Sequence, residues 1–194
     1  MNSVYFWPVP IASIIALLFA WMFFKQMMKA DEGDETMIRI AEHVRKGAMA
    51  YLRQQYKVVG IVFVILTAVF AFLSFGLKVQ NSWLPIAFIT GGFFSGLAGY
   101  FGMKTATYAS ARTAQAAKES LDAGLKIAFR SGAVMGLAVV GMALLYISIW
   151  WVILNSFVDA ATESQKLMII TTTMLTFGMG ASLQALFARV GGGI

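Results

Sequence analysis

The feature that most constrains this chain is the recurrence of apolar stretches about as long as a bilayer is thick. Residues 58–77 read VVGIVFVILTAVFAFLSFGL, with no charge among them. Comparable stretches cover 4–28, 83–102, 127–154 and 167–189. A helix needs roughly 20 apolar residues to cross ~30 Å of hydrocarbon. Backbone in lipid must also satisfy its own hydrogen bonds, which leaves helices or closed barrels. The runs are continuous rather than alternating, so the expected fold class is all-α, a polytopic transmembrane helical bundle with five spans. Charged residues make up only 12% of the chain, against about 25% in a typical soluble domain.

The basic residues fall between the apolar runs instead of forming one patch, so the net charge of +6 does not point to nucleic acid. Seven lie within 25–57 and five within 103–130, whereas the alternate connections hold only Lys78 and Lys166. By the positive-inside rule, 29–57 and 103–126 are cytoplasmic loops, Met1 is outside, and the chain is a multi-pass protein of the cell inner membrane. The first run has no basic segment before it and no small-residue cleavage site after it, so it reads as a retained helix. Without cysteine there is no disulfide or thiolate chemistry, and a single histidine, His43, cannot build a usual zinc site.

The first cytoplasmic stretch opens acidic, and Met37, Ile40, Ala41, Val44, Ala48, Tyr51 and Leu52 recur at helical spacing. That pattern predicts an amphipathic helix leading into the second span, with Asp34 or Glu35 at its favoured N-terminal end. The alanine-rich stretch 104–126 should extend the flanking spans as helix, with Gly124 marking the bend into the fourth. Gly92, Ser95, Gly96 and Gly99 form overlapping small-residue pairs four apart, as do Gly132 and Gly136, which suits close helix packing.

No phosphate-binding loop motif is present, and no carboxylate pair lies within a span, so the residues themselves mark no catalytic group and no metal ligand. The acidic residues, including Glu119 and Asp122, read as solvent-facing. Arg189 closes the fifth run. From residue chemistry it is either a snorkelling anchor or a functional cation, and Gly191, Gly192 and Gly193 after it offer a flexible exit or a close backbone approach. Thr171, Thr172, Thr173, Thr176 and Ser182 make the fifth span the most polar, which favours a place inside the bundle.

Four blocks, GAMAYLRQQYK (47–57), GMKTATYASARTAQAA (102–117), LDAGLKIAFRSGAVMGL (121–137) and FGMGASLQALFARVGGGI (177–194), occur in order along the chain. Together they resemble the membrane-integral, ion-translocating inorganic pyrophosphatases, with similarity from about Met37 onward. The resemblance implies a fold of about sixteen spans acting as a homodimer. Such a protein hydrolyses pyrophosphate held as its magnesium complex and drives H+ and/or Na+ outward. It also implies that Arg189 belongs to an ion-gate network, and that Gly191–Gly193 lead toward a substrate site whose catalytic residues and Mg2+ ligands are not among these residues. Leu183 and Gln184 depart from the family's usual wording there. The chain is expected to be the N-terminal portion of such a pump and inactive alone. A non-catalytic assembly partner and one chain of a split pump are the alternatives. Nothing in these residues selects H+ over Na+ or fixes a K+ dependence.

Overall fold

The computed structural model describes residues 6–158 and 162–191. Among them are five α-helices: α1 (Pro8–Met28), α2 (Glu35–Ala71), α3 (Leu84–Glu119), α4 (Leu121–Phe157) and α5 (Glu163–Gly191). All five are long and apolar enough to cross a membrane. At ~1.5 Å per residue, α2, α3 and α4 reach roughly 55 Å, well beyond ~30 Å of hydrocarbon. The stretches expected to be helical extensions are therefore continuous with their spans. A π-helical turn, Phe72–Gly76, ends α2, with Lys78 beyond it in the left-handed region at φ 53°.

Local chemistry sets the helix starts. Pro8 occupies the first turn of α1, where its missing N–H costs nothing. Asp34 caps α2, its Oδ1 accepting the Met37 amide at 2.8 Å. Gly33 precedes it at φ +98°, and a Cβ there would sit 2.6 Å from Met37 Sδ. The break between α3 and α4 is one residue wide. Ser120 makes it, its Oγ accepting the Ala123 amide at 3.1 Å. Gly124 does not mark that bend. It lies inside α4, where a Cβ would come within 2.9 Å of Ala117 Cβ, so its role is close packing.

The chain forms two compact units, Met1–Arg53 with Ala98–Leu144, and Gln54–Leu97 with Leu145–Ile194. In the first, α1 buries only Ser13, Ala20 and Met27, a narrow stripe of seven-residue period, while Ile11, Leu18 and Trp21 stay exposed. Met27 packs with Ala109 and Ile127. A Cβ on Gly141 would lie 3.1 Å from the Ser13 carbonyl, so α1 and α4 touch nearly backbone to backbone.

The amphipathic half of α2 turns a different face inward from the one its apolar residues suggest. Ala41 and Leu52 are buried, yet Ile40 and Val44 are exposed. The inward stripe runs Met37, Ala41, Arg45, Ala48, Leu52. Arg45 occupies it because a carboxylate waits there, and Ile40 and Val44 are displaced to the outside.

In the second unit, α3 is the axis. Tyr146, Trp150 and Leu154 of α4 pack with Ala87 and Phe94 of α3 and Ile170 and Phe177 of α5. Val59 and Phe63 of α2 pack on Phe88 of α3, with Leu183 and Phe187 of α5 against them. The α3–α5 contact is at backbone level. A Cβ on Gly91 would lie 2.2 Å from the Phe177 carbonyl oxygen, and one on Gly180 would lie 2.2 Å from that of Phe88. Ser95 Oγ donates to the Ala181 carbonyl at 3.0 Å across the same seam. Lipid gives helices no hydrophobic reason to associate, so this close packing is the source of cohesion.

Two tests follow from these contacts. Gly180→Ala or Gly91→Ala should each cost about 1–3 kcal/mol in detergent unfolding, as overpacking does. Gly96→Ala should be near neutral, since its added Cβ would meet Gln184 at an ordinary 3.5 Å. Equal stability of all three variants would remove the seam from the account. Asp34 gives a pH test. The Met37 amide, helped by Lys118 3.6 Å from Oδ2, holds its pKa below the usual 3.8. The cap is thus fully present above that value and is lost as pH falls through the lowered one. Amide exchange at Met37 should accelerate in that acid window, and Asp34→Asn, which caps without titrating, should abolish the dependence.

Candidate functional site

Helix α5 has two polar faces. On the inward one, Thr173, Thr176, Gly180 and Gln184 are buried. Their hydroxyls are already engaged: Thr173 donates to the Ile169 carbonyl at 2.7 Å and Thr176 to that of Thr172 at 2.9 Å. Asn81 Nδ2 donates to Thr173 Oγ1 at 3.0 Å. Gln184 is buried beside Gly96, while Leu183 packs near Phe63 and Phe88. Gln55 Nε2 donates to the Phe187 carbonyl at 3.0 Å, and the Tyr56 hydroxyl donates to that of Gly96. These side chains pin α5 by its backbone and leave that face complete.

The opposite face is open. Thr171, Leu175, Ser182 and Arg189 are exposed along it at helical spacing. Gly178 falls on the same line, where an added Cβ would meet nothing within 4 Å. The fifth span is thus interior by one face only, since Thr171 and Ser182 lie on the other. Arg189 stands in the last turn of α5, where the helix dipole favours a cation, and among the described residues it has no ion-pair partner. Gly191 is the last residue of the helix, and Gly192 and Gly193 lie outside the described residues.

The other glycines singled out by spacing divide sharply. At Gly92 a Cβ would be 2.0 Å from Phe63 Cε1, so only a hydrogen fits. Gly96 makes an ordinary contact, and Gly99 is half-buried in α3. Gly132 and Gly136 face open space among the described residues. The glycines that carry the α3–α5 contact, Gly91 and Gly180, were not singled out by the spacing rule. Gly91 adjoins Gly92 and Gly180 stands two after Gly178, so each sits beside a glycine that faces elsewhere.

A second polar cluster, which the sequence reading missed, lies in the first unit. Glu32 Oε1 accepts Arg45 Nη2 and Arg112 Nη1, each at 2.6 Å. Arg112, only 7% exposed, also donates through Nε to the Ala30 carbonyl at 3.0 Å and through Nη1 to that of Tyr108 at 2.7 Å. Arg45 lies over the Tyr108 ring at 4.5 Å. The acidic opening of this stretch is therefore not uniformly solvent-facing, because Glu32 is enclosed between two guanidinium groups. The available signal was register: Arg112 continues the buried stripe Thr105, Ala109. One carboxylate shared by two guanidinium groups, with the Ala30 and Tyr108 carbonyls taking further Arg112 donors, makes this a clasp on the link between α1 and α2. No group of three or more His, Cys, Asp or Glu that could hold a metal occurs among the described residues. Glu32→Ala would leave the buried Arg112 and half-buried Arg45 guanidinium groups without a counter-charge and should lower stability by about 2–3 kcal/mol. Glu42→Ala, which removes an exposed pair with Lys46, should be nearly silent; equal effects of the two in detergent unfolding would refute the clasp.

Residues 14–194 match the family described as inorganic H+ pyrophosphatase. A protein of Bacteroides thetaiotaomicron, provisionally described as a K+-stimulated pyrophosphate-energized sodium pump, is 66% identical over 100% of this chain and 27% of its own length. A K+-insensitive pyrophosphate-energized proton pump of Methanosarcina mazei is 41% identical over 95% of this chain and 25% of its own length. The chain thus spans about a quarter of the length of the curated relatives it matches. The match takes in the α3–α5 seam, the buried clasp and the open α5 face with its arginine, and over that extent the chain belongs to the inorganic H+ pyrophosphatase family.

Proposed function

We propose that this chain serves within an ion pump that couples hydrolysis of magnesium pyrophosphate to outward movement of H+ and/or Na+. The observation that carries the reading is the 66% identity to a relative described as a pyrophosphate-energized pump, held along the whole chain. The geometry divides the labour. Four helices supply packing, and α5 presents Arg189 on a face left open by its own neighbours. A fixed cation at such a face repels cations and attracts a carboxylate from another helix, which is how an ion path is gated against back-leak. The pump works as a homodimer in the inner membrane.

Magnesium neutralises phosphate charge and helps activate water in hydrolysis of this kind. The described residues offer it no carboxylate cluster, so no hydrolytic step is assigned to them. Their part is to hold α5 rigid, through the glycine seam and the Gln55 and Ser95 hydrogen bonds, so that Arg189 keeps a fixed position.

The orientation in this reading puts 29–57 and 103–126 in the cytoplasm with the N-terminus outside, supported by the gathering of Lys and Arg in those stretches. The chain has no cysteine, so single cysteines report cleanly. In intact cells, an impermeant maleimide should label Gln80→Cys and spare Ser120→Cys; the reverse pattern would invert the topology.

Activity is tested by exchanging this chain for the matching segment of the Bacteroides thetaiotaomicron relative. The chimera should hydrolyse magnesium pyrophosphate and pump in inverted vesicles. Arg189→Ala should cut pumping by about tenfold, equivalent to about 1.4 kcal/mol in a barrier, with hydrolysis falling equally or less. A folded chimera without hydrolysis would sink the assignment. Unchanged pumping in the arginine variant would remove Arg189 from the gate.

A further inference from the structure

The second unit carries a charged side chain on a strained backbone. Lys78 follows the π-helical turn that ends α2 and stands at φ 53°, in the left-handed region. Helices commonly close on such a residue, but it is usually glycine, because a Cβ there crowds the carbonyl that follows. Two hydrogen bonds wrap the chain around it. The Leu77 amide donates to the Phe72 carbonyl at 3.0 Å, and the Val79 amide to that of Leu73 at 3.1 Å. The connection beyond is fastened as well. Ser74 Oγ donates to the Asn81 carbonyl at 3.0 Å, Asn81 Nδ2 to Thr173 Oγ1 of α5 at 3.0 Å, and Asn81 Oδ1 accepts the Trp83 amide at 3.1 Å. Lys78 is thus tied to α5, although glycine would suit its backbone better.

Lys78 lines a groove of about 780 Å³ between this connection and α5, with Ser74, Asn81, Thr172, Leu175 and Thr176 among the other lining residues. It is the only charged residue in that lining, and among the described residues it has no ion-pair partner. Leu175 lies on the open face of α5, the face that ends at Arg189. From Thr172 to Arg189 the helix rises roughly 25 Å, close to the thickness of the hydrocarbon. The open face of α5 is therefore bracketed by two cations, one at each end of the span, and among the described residues neither is paired. In the orientation given above, Lys78 stands at the outer end and Arg189 at the cytoplasmic end.

We propose that Lys78 is a docking cation for a carboxylate carried on another helix of the pump, which seats in this groove and covers the open face of α5. The proposal rests on the pump reading and extends it to the outer end of the same face. The chain spans about a quarter of its relatives' length, so the remainder of such a pump supplies the helices that can seat here. An ammonium has three donors and no acceptor, and the groove lining offers it no anion. Backbone geometry separates the two anions at hand, a carboxylate and a lipid phosphate. A lysine that only reaches toward headgroups needs a long flexible stem and no special backbone. A strained and fastened one suits a partner whose own position is fixed. Lipid would also lie against the α5 face to which the pump reading gives ion passage.

The test treats membranes holding the chimera described above with a water-soluble carbodiimide, which joins a lysine amine to a carboxylate within ion-pair reach. Peptide mapping should find Lys78 joined to an Asp or Glu from the part of the chimera beyond residue 194. Lys78 left unjoined, or joined only to carboxylates of this chain, would overturn the proposal. So would a phospholipid that the chimera retains in native mass spectrometry and loses on Lys78→Gln, since lipid phosphate would then be the occupant. Stability gives a second readout. Lys78→Gly relieves the strained backbone, so it should hold or raise the thermal midpoint of this chain alone yet lower that of the chimera. Lys78→Arg, which keeps the charge, should leave the chimera's midpoint in place. Equal shifts of chain and chimera on Lys78→Gly would leave the residue a backbone role only and overturn the docking. A folded chimera without hydrolysis sinks the pump reading and the docking with it, whereas an active chimera with Lys78 unjoined sinks the docking alone.

Discussion

The second unit rests on the approach of two backbones. Where Gly91 meets the Phe177 carbonyl and Gly180 meets that of Phe88, α3 and α5 are as close as helices with side chains cannot be. Water would drive apolar helices together, but in a bilayer the competing solvent is itself apolar, and cohesion comes from contact quality and a few directed hydrogen bonds. The seam supplies both. Ser95 bonds Ala181 along it, and the aromatic side chains of Phe63, Phe88, Tyr146 and Phe177 fill the wedge-shaped space on either side.

The first unit uses a different device. Its α1 fully buries only one residue in seven, which is too little to fix the chain that follows. Fixing falls to Glu32, which ties Arg45 of α2 to Arg112 of α3 just beyond the end of α1. Two guanidinium groups on one carboxylate oxygen would be costly if left dry and unpaired. The Ala30 and Tyr108 carbonyls and the Tyr108 ring make the arrangement tolerable. Polar groups do in the first unit what glycine does in the second.

Most of the architecture could be read from residue order. Spans in lipid are selected by length and hydropathy, both written along the chain, and the helical extensions followed from alanine content and periodicity. Partner choice was not legible. Spacing marked Gly132 and Gly136 as readily as Gly92, because a small residue permits close approach without saying whether another helix is there. The inward face of α2 was misjudged by a residue or two, since Ile40 and Val44 outweighed Arg45 in any apolar count. Only the position of Glu32, thirteen residues earlier in sequence, makes the arginine the inner residue. The polar character of α5 was plain, but its division into a closed and an open face required knowing where α3 lies.

That division has an electrical consequence. A proton moves along a file of groups that can each accept and pass on a hydrogen bond. Along the middle of the α3–α5 seam the threonine hydroxyls point their protons back at their own helix, and the glycines contribute none. A carbonyl accepts a hydrogen bond but holds no proton to pass on, so these bonds, like that of Ser95 to Ala181, end a relay instead of continuing it. On its other side Thr171, Ser182 and Arg189 stand exposed among the described residues, so a conducting path that used α5 would meet polar side chains there.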